Sequence, residues 1–171
     1  MKNINKASKI FAYFALTSGA IWIGAYITRL TVTYQLFQEE ELVLREYLNE
    51  SNLPGIFETI KPTIFLSLFP YLLLIVSFTL FLFTSKINLK KNGWLFIITI
   101  IIYVMMPFEI YLMLIDYKLI IELISGLPDT DLVIKLTIDR FENLSSFPLI
   151  EILSYLSIPF LLIFKPLSKQ D

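Results

Sequence analysis

Residues 94–124, WLFIITIIIYVMMPFEIYLMLIDYKLIIELI, constrain the chain more than any other stretch. The first fourteen of them, residues 94–107, carry no charged side chain. Glu109 follows Pro107, flanked by Phe108 and Ile110. A core helix of a soluble domain keeps a polar face, and this one has none. About 20 apolar residues cross a bilayer. The stretch therefore reads as a transmembrane helix with a carboxylate inside it.

Composition supports this. The chain is 56% hydrophobic with a mean hydropathy of +0.71, against about 45–50% apolar in ordinary soluble domains. The excess lies in blocks, as membrane spans require. There is no cysteine and no histidine. Disulfides, thiolate and imidazole metal sites, His-ligated haem and Cys- or His-dependent catalysis are excluded, and no cofactor or metal is expected.

The first apolar block is residues 10–30, preceded by Lys2, Lys6 and Lys9. Basic residues before an apolar run also describe a signal peptide, with Ser18-Gly19-Ala20 as its cleavage site. The run continues past that site to Ile27, so a retained helix is expected. Ala20, Gly24 and Thr28 recur at four-residue spacing, with Ala15 and Gly19 beside them. Such stripes let helix backbones approach closely in lipid, and packing within one subunit is the simpler use. Residues 31–61 are polar and acidic. Leu36, Val43 and Tyr47 share a helical face with Phe37, Leu44 and Leu48 next to it, so either the first helix runs on or a second lies along the surface. Asn52-Leu53-Pro54-Gly55 reads as a break. The second span is residues 62–84, with Pro62 in its first turn and Pro70 predicting a kink. A basic loop, residues 85–93, leads to Trp94 at the interface. The third span is residues 94–115, its helix ending near Gly126-Leu127-Pro128. Asp129 or Thr130 caps a short amphipathic helix reaching Phe141, with Leu132, Val133 and Leu136 inward. The fourth span is residues 147–164.

Charge sets the expected orientation. Residues 1–9, 85–93 and 165–171 carry eight lysines and one acid; residues 31–61 and 125–146 carry ten acids and four bases. Basic loops stay cytoplasmic. Both termini are expected inside and the two acidic loops outside, in a multi-pass protein of a bacterial inner membrane. The Ile/Lys/Asn/Phe-rich composition fits an AT-rich bacterial genome. Asn49-Glu50-Ser51 and Asn143-Leu144-Ser145 are glycosylation triplets on the outer face.

Depth follows from about 1.5 Å per helical residue. On that scale Glu109 lies about 22 Å above Trp94, Arg29 about 28 Å above Ile10 and Asp116 about 33 Å up. Glu151 enters from outside, about 6 Å below Phe147. Arg29, Glu109 and Glu151 thus fall at similar depth, with Lys61 above them, while Asp116 and Lys118 mark the interface. A carboxylate in hydrocarbon costs several kcal/mol unless neutralised or paired. In the preferred structural reading Arg29 pairs with Glu109 or Glu151 and fixes register. In a functional reading Glu109 binds a proton, cation or amine. Tyr26, Tyr34, Tyr111 and Tyr117 suit an interfacial belt, with Trp22 deeper. A lipid or quinone groove would use the same residues.

No nucleotide loop, nucleophile elbow or metalloprotease motif occurs, and the basic segments are too short for nucleic acid. The expectation is an all-α polytopic membrane protein: four transmembrane helices in a bundle, with short amphipathic helices on the outer face. Its expected partners are the lipid bilayer and other membrane proteins or itself, with no nucleic acid. The expected role is non-enzymatic, an accessory or structural subunit. The alternative is a small oligomeric transporter or channel using Glu109. An enzyme would have to work with carboxylates alone, Glu109, Asp116 and Glu151 around a divalent ion.

Overall fold

The structure is a computed structural model that describes residues 5–38, 42–49, 51–125, 128–144 and 146–168. Glu39, Glu40 and Glu41 of the acidic loop, Gly126-Leu127 at the expected end of the third helix, and Glu50 and Ser145 of the two glycosylation triplets lie outside these residues. The described chain is all-helical: α1 (Lys6–Tyr34), α2 (Leu53–Ser85), α3 (Gly93–Ile124), α4 (Thr130–Glu142) and α5 (Phe147–Phe164). The helices α1, α2, α3 and α5 are each long and apolar enough to cross a membrane. Many of their large apolar side chains are exposed, Phe83, Leu149 and Ile163 among them. Water does not tolerate that much apolar surface on a monomer; lipid does. The chain is a multi-pass helical membrane protein.

α2 starts nine residues before the expected span. The supposed break is its start signal. The Asn52 carbonyl accepts from Ile56 N–H at 3.2 Å, and Pro54 sits in the first turn, where a missing N–H loses no helical bond. Pro62 is therefore interior, and α2 passes it and Pro70 without interruption. α3 carries Asp116 within the helix and ends at Ile124, close to the stop expected near Gly126-Leu127-Pro128.

Contacts divide the chain into two units. The first comprises Met1–Ala20, Pro70–Glu109 and Ser146–Asp171. In it Ser8 Oγ donates to Thr84 Oγ1 at 3.0 Å, and Gly19 lies against Leu74, 3.5 Å from where a Cβ would stand. Thr79 and Tyr103 share a hydroxyl–hydroxyl bond of 2.7 Å. The chain end folds onto the loop before α3: Gly93 N–H donates to Leu167 O at 3.1 Å, and Asn92 pairs with Ser168. Trp94, expected at the interface, is buried, with Lys165 Nζ 5.9 Å from its ring centroid. α5 begins with Pro148 in its first turn and ends on Lys165 in the left-handed region, φ 43°.

The second unit comprises Ile21–Phe69 and Ile110–Ser145. Its core joins Phe57, Ile60 and Ile64 of α2, Leu119 and Leu123 of α3, and Val133 of α4. Asp129 caps α4, accepting from the N–H groups of Asp131 and Leu132 at 3.1 and 3.2 Å. Val133, Leu136, Thr137 and Arg140 are its buried face; Leu132, expected inward, is exposed. α1 runs on only to Tyr34, and no surface helix forms among the described residues between it and α2. The backbone turns back instead, with Gln38 N–H to Val43 O at 2.8 Å and Arg45 N–H to Leu36 O at 3.1 Å. Leu36, Phe37 and Leu48 are buried this way, while Val43 and Tyr47 are exposed. Of the expected aromatic belt, Tyr34, Tyr111 and Tyr117 are exposed, but Tyr26 is a core residue packed on Trp22, ring centroids 5.1 Å apart.

Candidate functional site

Among the described residues, the buried acids and arginines lie in two places, one in each unit. In the second unit the partner of Arg29 is Asp116, which corrects the expected pairing with Glu109 or Glu151. The guanidinium grips the carboxylate with both Nη atoms: Nη1 donates to Oδ2 at 2.6 Å and Nη2 to Oδ1 at 2.5 Å. Arg140 Nε approaches the same carboxylate, 3.3 Å from Oδ1 and 3.4 Å from Oδ2. Arg29 Nη1 also donates to Ser67 Oγ at 3.4 Å, and Ser67 Oγ donates to the Ile64 carbonyl at 2.9 Å. The Arg140 guanidinium lies over the Tyr26 ring, 5.6 Å from its centroid. Asp116 is 2% exposed. It is held inside the unit rather than on its surface. One carboxylate ties α1, α3 and α4 together, with α2 joined through Ser67.

This arrangement follows from local spacing. Tyr26 and Arg29 are three apart on α1, so they share a face. On α4, Arg140 lies seven residues after Val133 and four after Leu136, on the apolar stripe rather than opposite it. A bidentate Arg–carboxylate pair is directional and strong. Chemically the cluster is a structural clamp: Asp116 is committed to two arginines and is not available to a divalent ion.

The first unit holds Glu109 and Glu151. Their residues are 1% and 0% exposed. Tyr71 and Tyr155 are buried with them, and Tyr155 Oη donates to Tyr71 Oη at 3.5 Å. Both glutamates lie within electrostatic reach of both phenols. The structure thus places Glu109 and Glu151 in one polar cluster and Arg29 in the other. Lys61, expected above these residues, pairs with Glu58 at 2.6 Å on the exposed side of α2.

The two rows of small residues on α1 differ. Ala15 is buried and Gly19 packs on Leu74. Ala20, Gly24 and Thr28 are exposed, and nothing lies within 4 Å of where a Gly24 side chain would stand. Thr28 Oγ1 donates to the Gly24 carbonyl at 2.8 Å, so its hydroxyl is spent within the helix. The expected use of this stripe in packing inside the subunit is therefore corrected: the neighbouring Ala15 and Gly19 do that.

We found no protein family, curated protein or solved structure that this chain matches.

Proposed function

We propose that this protein is a non-enzymatic subunit of a membrane assembly, which packs the outward face of α1 against another membrane-spanning helix. The carrying observation is the open row of Ala20, Gly24 and Thr28. Small residues on a lipid-facing surface forgo the packing that larger side chains would make there. They favour close helix–helix contact instead. We further propose a bacterial inner-membrane location with both termini cytoplasmic, supported by the sorting of lysine and acid among the loops.

The test is Gly24→Leu in the full chain. The new side chain meets nothing within this chain and favours helix by up to about 1 kcal/mol, so the fold is retained. Site-specific photo-crosslinking from position 28 in native membranes, with and without Gly24→Leu, reads the contact. We expect a cross-linked band, a homodimer for self-association or a heavier adduct for another subunit, and its loss with leucine. A monomer unchanged by Gly24→Leu would refute the reading.

A second reading is favoured by the burial of Glu109 and Glu151 in the unit that also buries Tyr71 and Tyr155: a small oligomeric transporter or channel that uses Glu109 as a proton or cation site. Intramembrane carboxylates mark proton relays in many such proteins. It requires wild-type proteoliposomes to pass protons or cations and Glu109→Gln to assemble normally yet abolish the flux. Vesicles no leakier than protein-free controls would dismiss it.

A further inference from the structure

Three basic segments that lie far apart in the chain meet at one end of the first unit. The Ser8–Thr84 hydroxyl bond, 3.0 Å long, sets the start of α1 beside the end of α2. Lys6 and Lys9 flank Ser8, and Lys86, Lys90 and Lys91 follow Thr84 in the loop before α3. The chain end returns to that same loop: Gly93 N–H donates to Leu167 O at 3.1 Å, and Asn92 pairs with Ser168. This brings in Lys165, whose Nζ stands 5.9 Å from the Trp94 ring centroid. All of these lysines are exposed.

No described acid balances this charge. Residues 1–9, 85–93 and 165–170 contain no Asp or Glu. The described acids of the unit are Glu109 and Glu151, both buried. At about 1.5 Å per residue, Glu109 stands about 24 Å from Gly93 and Glu151 about 21 Å from Lys165. Both distances exceed the screening length of about 10 Å in 0.1 M salt. The surroundings of the lysines are apolar and exposed: Ile10 follows Lys9, and Phe164 precedes Lys165. Leu167 is held by its backbone carbonyl, yet its side chain is among the most exposed of the chain, at 73%. Lysines at such a boundary lay their stems along apolar surface and hold the ammonium at headgroup level. Acyl chains accommodate Leu167 beside them, and water does not.

We propose that this end of the first unit is a docking surface for anionic phospholipid headgroups, whose negative charge is shared by lysines of the three joined segments. Lysines at the edge of a span are attracted by an anionic leaflet, and here the fold adds their fields together. The surface is independent of the outward face of α1 and of which leaflet this end faces.

The experiment uses the purified full chain in detergent, with native mass spectrometry and thermal melting. The probes are dioleoyl phosphatidylglycerol, which is anionic, and dioleoyl phosphatidylcholine, which has the same chains and phosphate but no net charge. Wild type should hold phosphatidylglycerol at least about tenfold more tightly. Each lysine near an anionic surface is worth a factor of about five, so Lys9→Gln/Lys86→Gln/Lys90→Gln should lose most of that preference. The matching Lys→Arg triple keeps the charge and should behave as wild type. So should Lys61→Gln/Lys118→Gln/Lys135→Gln, which removes as many charges from the second unit. In wild type, phosphatidylglycerol should raise the melting temperature above phosphatidylcholine in 0.1 M salt. The difference should vanish in 1 M salt, where the screening length falls to about 3 Å. Four results overturn the proposal: no preference in wild type, a preference that survives 1 M salt, the first Gln triple binding like wild type, or the second losing as much. Binding of poly-glutamate in place of phosphatidylglycerol would assign the surface to an acidic protein segment and overturn it likewise.

Discussion

Replacing Asp116 tests the clamp most directly. Its carboxylate is held by three N–H groups from two arginines, and all three side chains are at least nine-tenths buried. Solvent screening is therefore small, unlike that of a surface pair. Removing one partner of a buried ion pair costs about 3–5 kcal/mol, because the remaining charge is left in a poor solvent. Asp116→Asn keeps the shape and one acceptor oxygen, so about 3 kcal/mol is expected; Asp116→Ala should approach about 5 kcal/mol. Against a total stability of about 5–15 kcal/mol, either loss is severe. At about 1.4 kcal/mol per decade, the smaller one lowers the folded-to-unfolded ratio more than a hundredfold. The double variant Arg29→Met/Asp116→Leu removes both members of the tightest pair, and such replacements are often neutral. It should recover at least about 2 kcal/mol over Asp116→Leu alone, with Arg140 still resting on Tyr26. Reversible unfolding in mixed micelles, run as a double-mutant cycle, gives the coupling energy. Asp116→Asn within about 0.5 kcal/mol of wild type, the range of ordinary surface substitutions, would refute the reasoning.

Other substitutions probe the local devices. Gly93→Ala puts a methyl 2.6 Å from Leu167 Cβ and 3.1 Å from Leu167 O; it should cost about 1–3 kcal/mol as overpacking, read as a lowered melting temperature and faster proteolysis of the chain end. Asp129→Ala removes the acceptor at the start of α4 and should cost about 1 kcal/mol, seen as faster hydrogen exchange in α4, whereas Asp129→Asn should cost little. Ser8→Ala removes the bond to Thr84 Oγ1; Thr84 keeps its bond to the Leu80 carbonyl, so the cost should stay near about 1 kcal/mol in a thermal melt.

The four long helices were legible because hydropathy needs no knowledge of neighbours. Their ends were less so. Asn52-Leu53-Pro54-Gly55 contains residues that both stop and start helices, and only the Asn52–Ile56 bond decides which. The clamp was harder still. By depth, Asp116 lies about 5 Å from Arg29 and Glu109 about 6 Å, on the same 1.5 Å rise, so counting could not choose. The two acids are seven residues apart on α3 and share a face, which removes the other discriminant. Arg140 carried a usable signal, its place on the stripe of Val133 and Leu136, yet a charge at the end of a short loop helix reads first as solvated.

The shortest crossing has a consequence for where such a chain can reside. α5 has 18 residues, about 27 Å at 1.5 Å per residue, and it cannot lengthen: Pro148 closes its first turn and left-handed Lys165 its last. The other three crossings have 29 to 33 residues and can absorb a thicker bilayer by sliding or leaning. A hydrocarbon layer of about 30 Å must thin around α5 or draw its ends inward, and each ångström of disagreement costs a fraction of a kcal/mol. α5 thus acts as a gauge, favouring thin membranes and gathering short-chain lipids around itself in thicker ones.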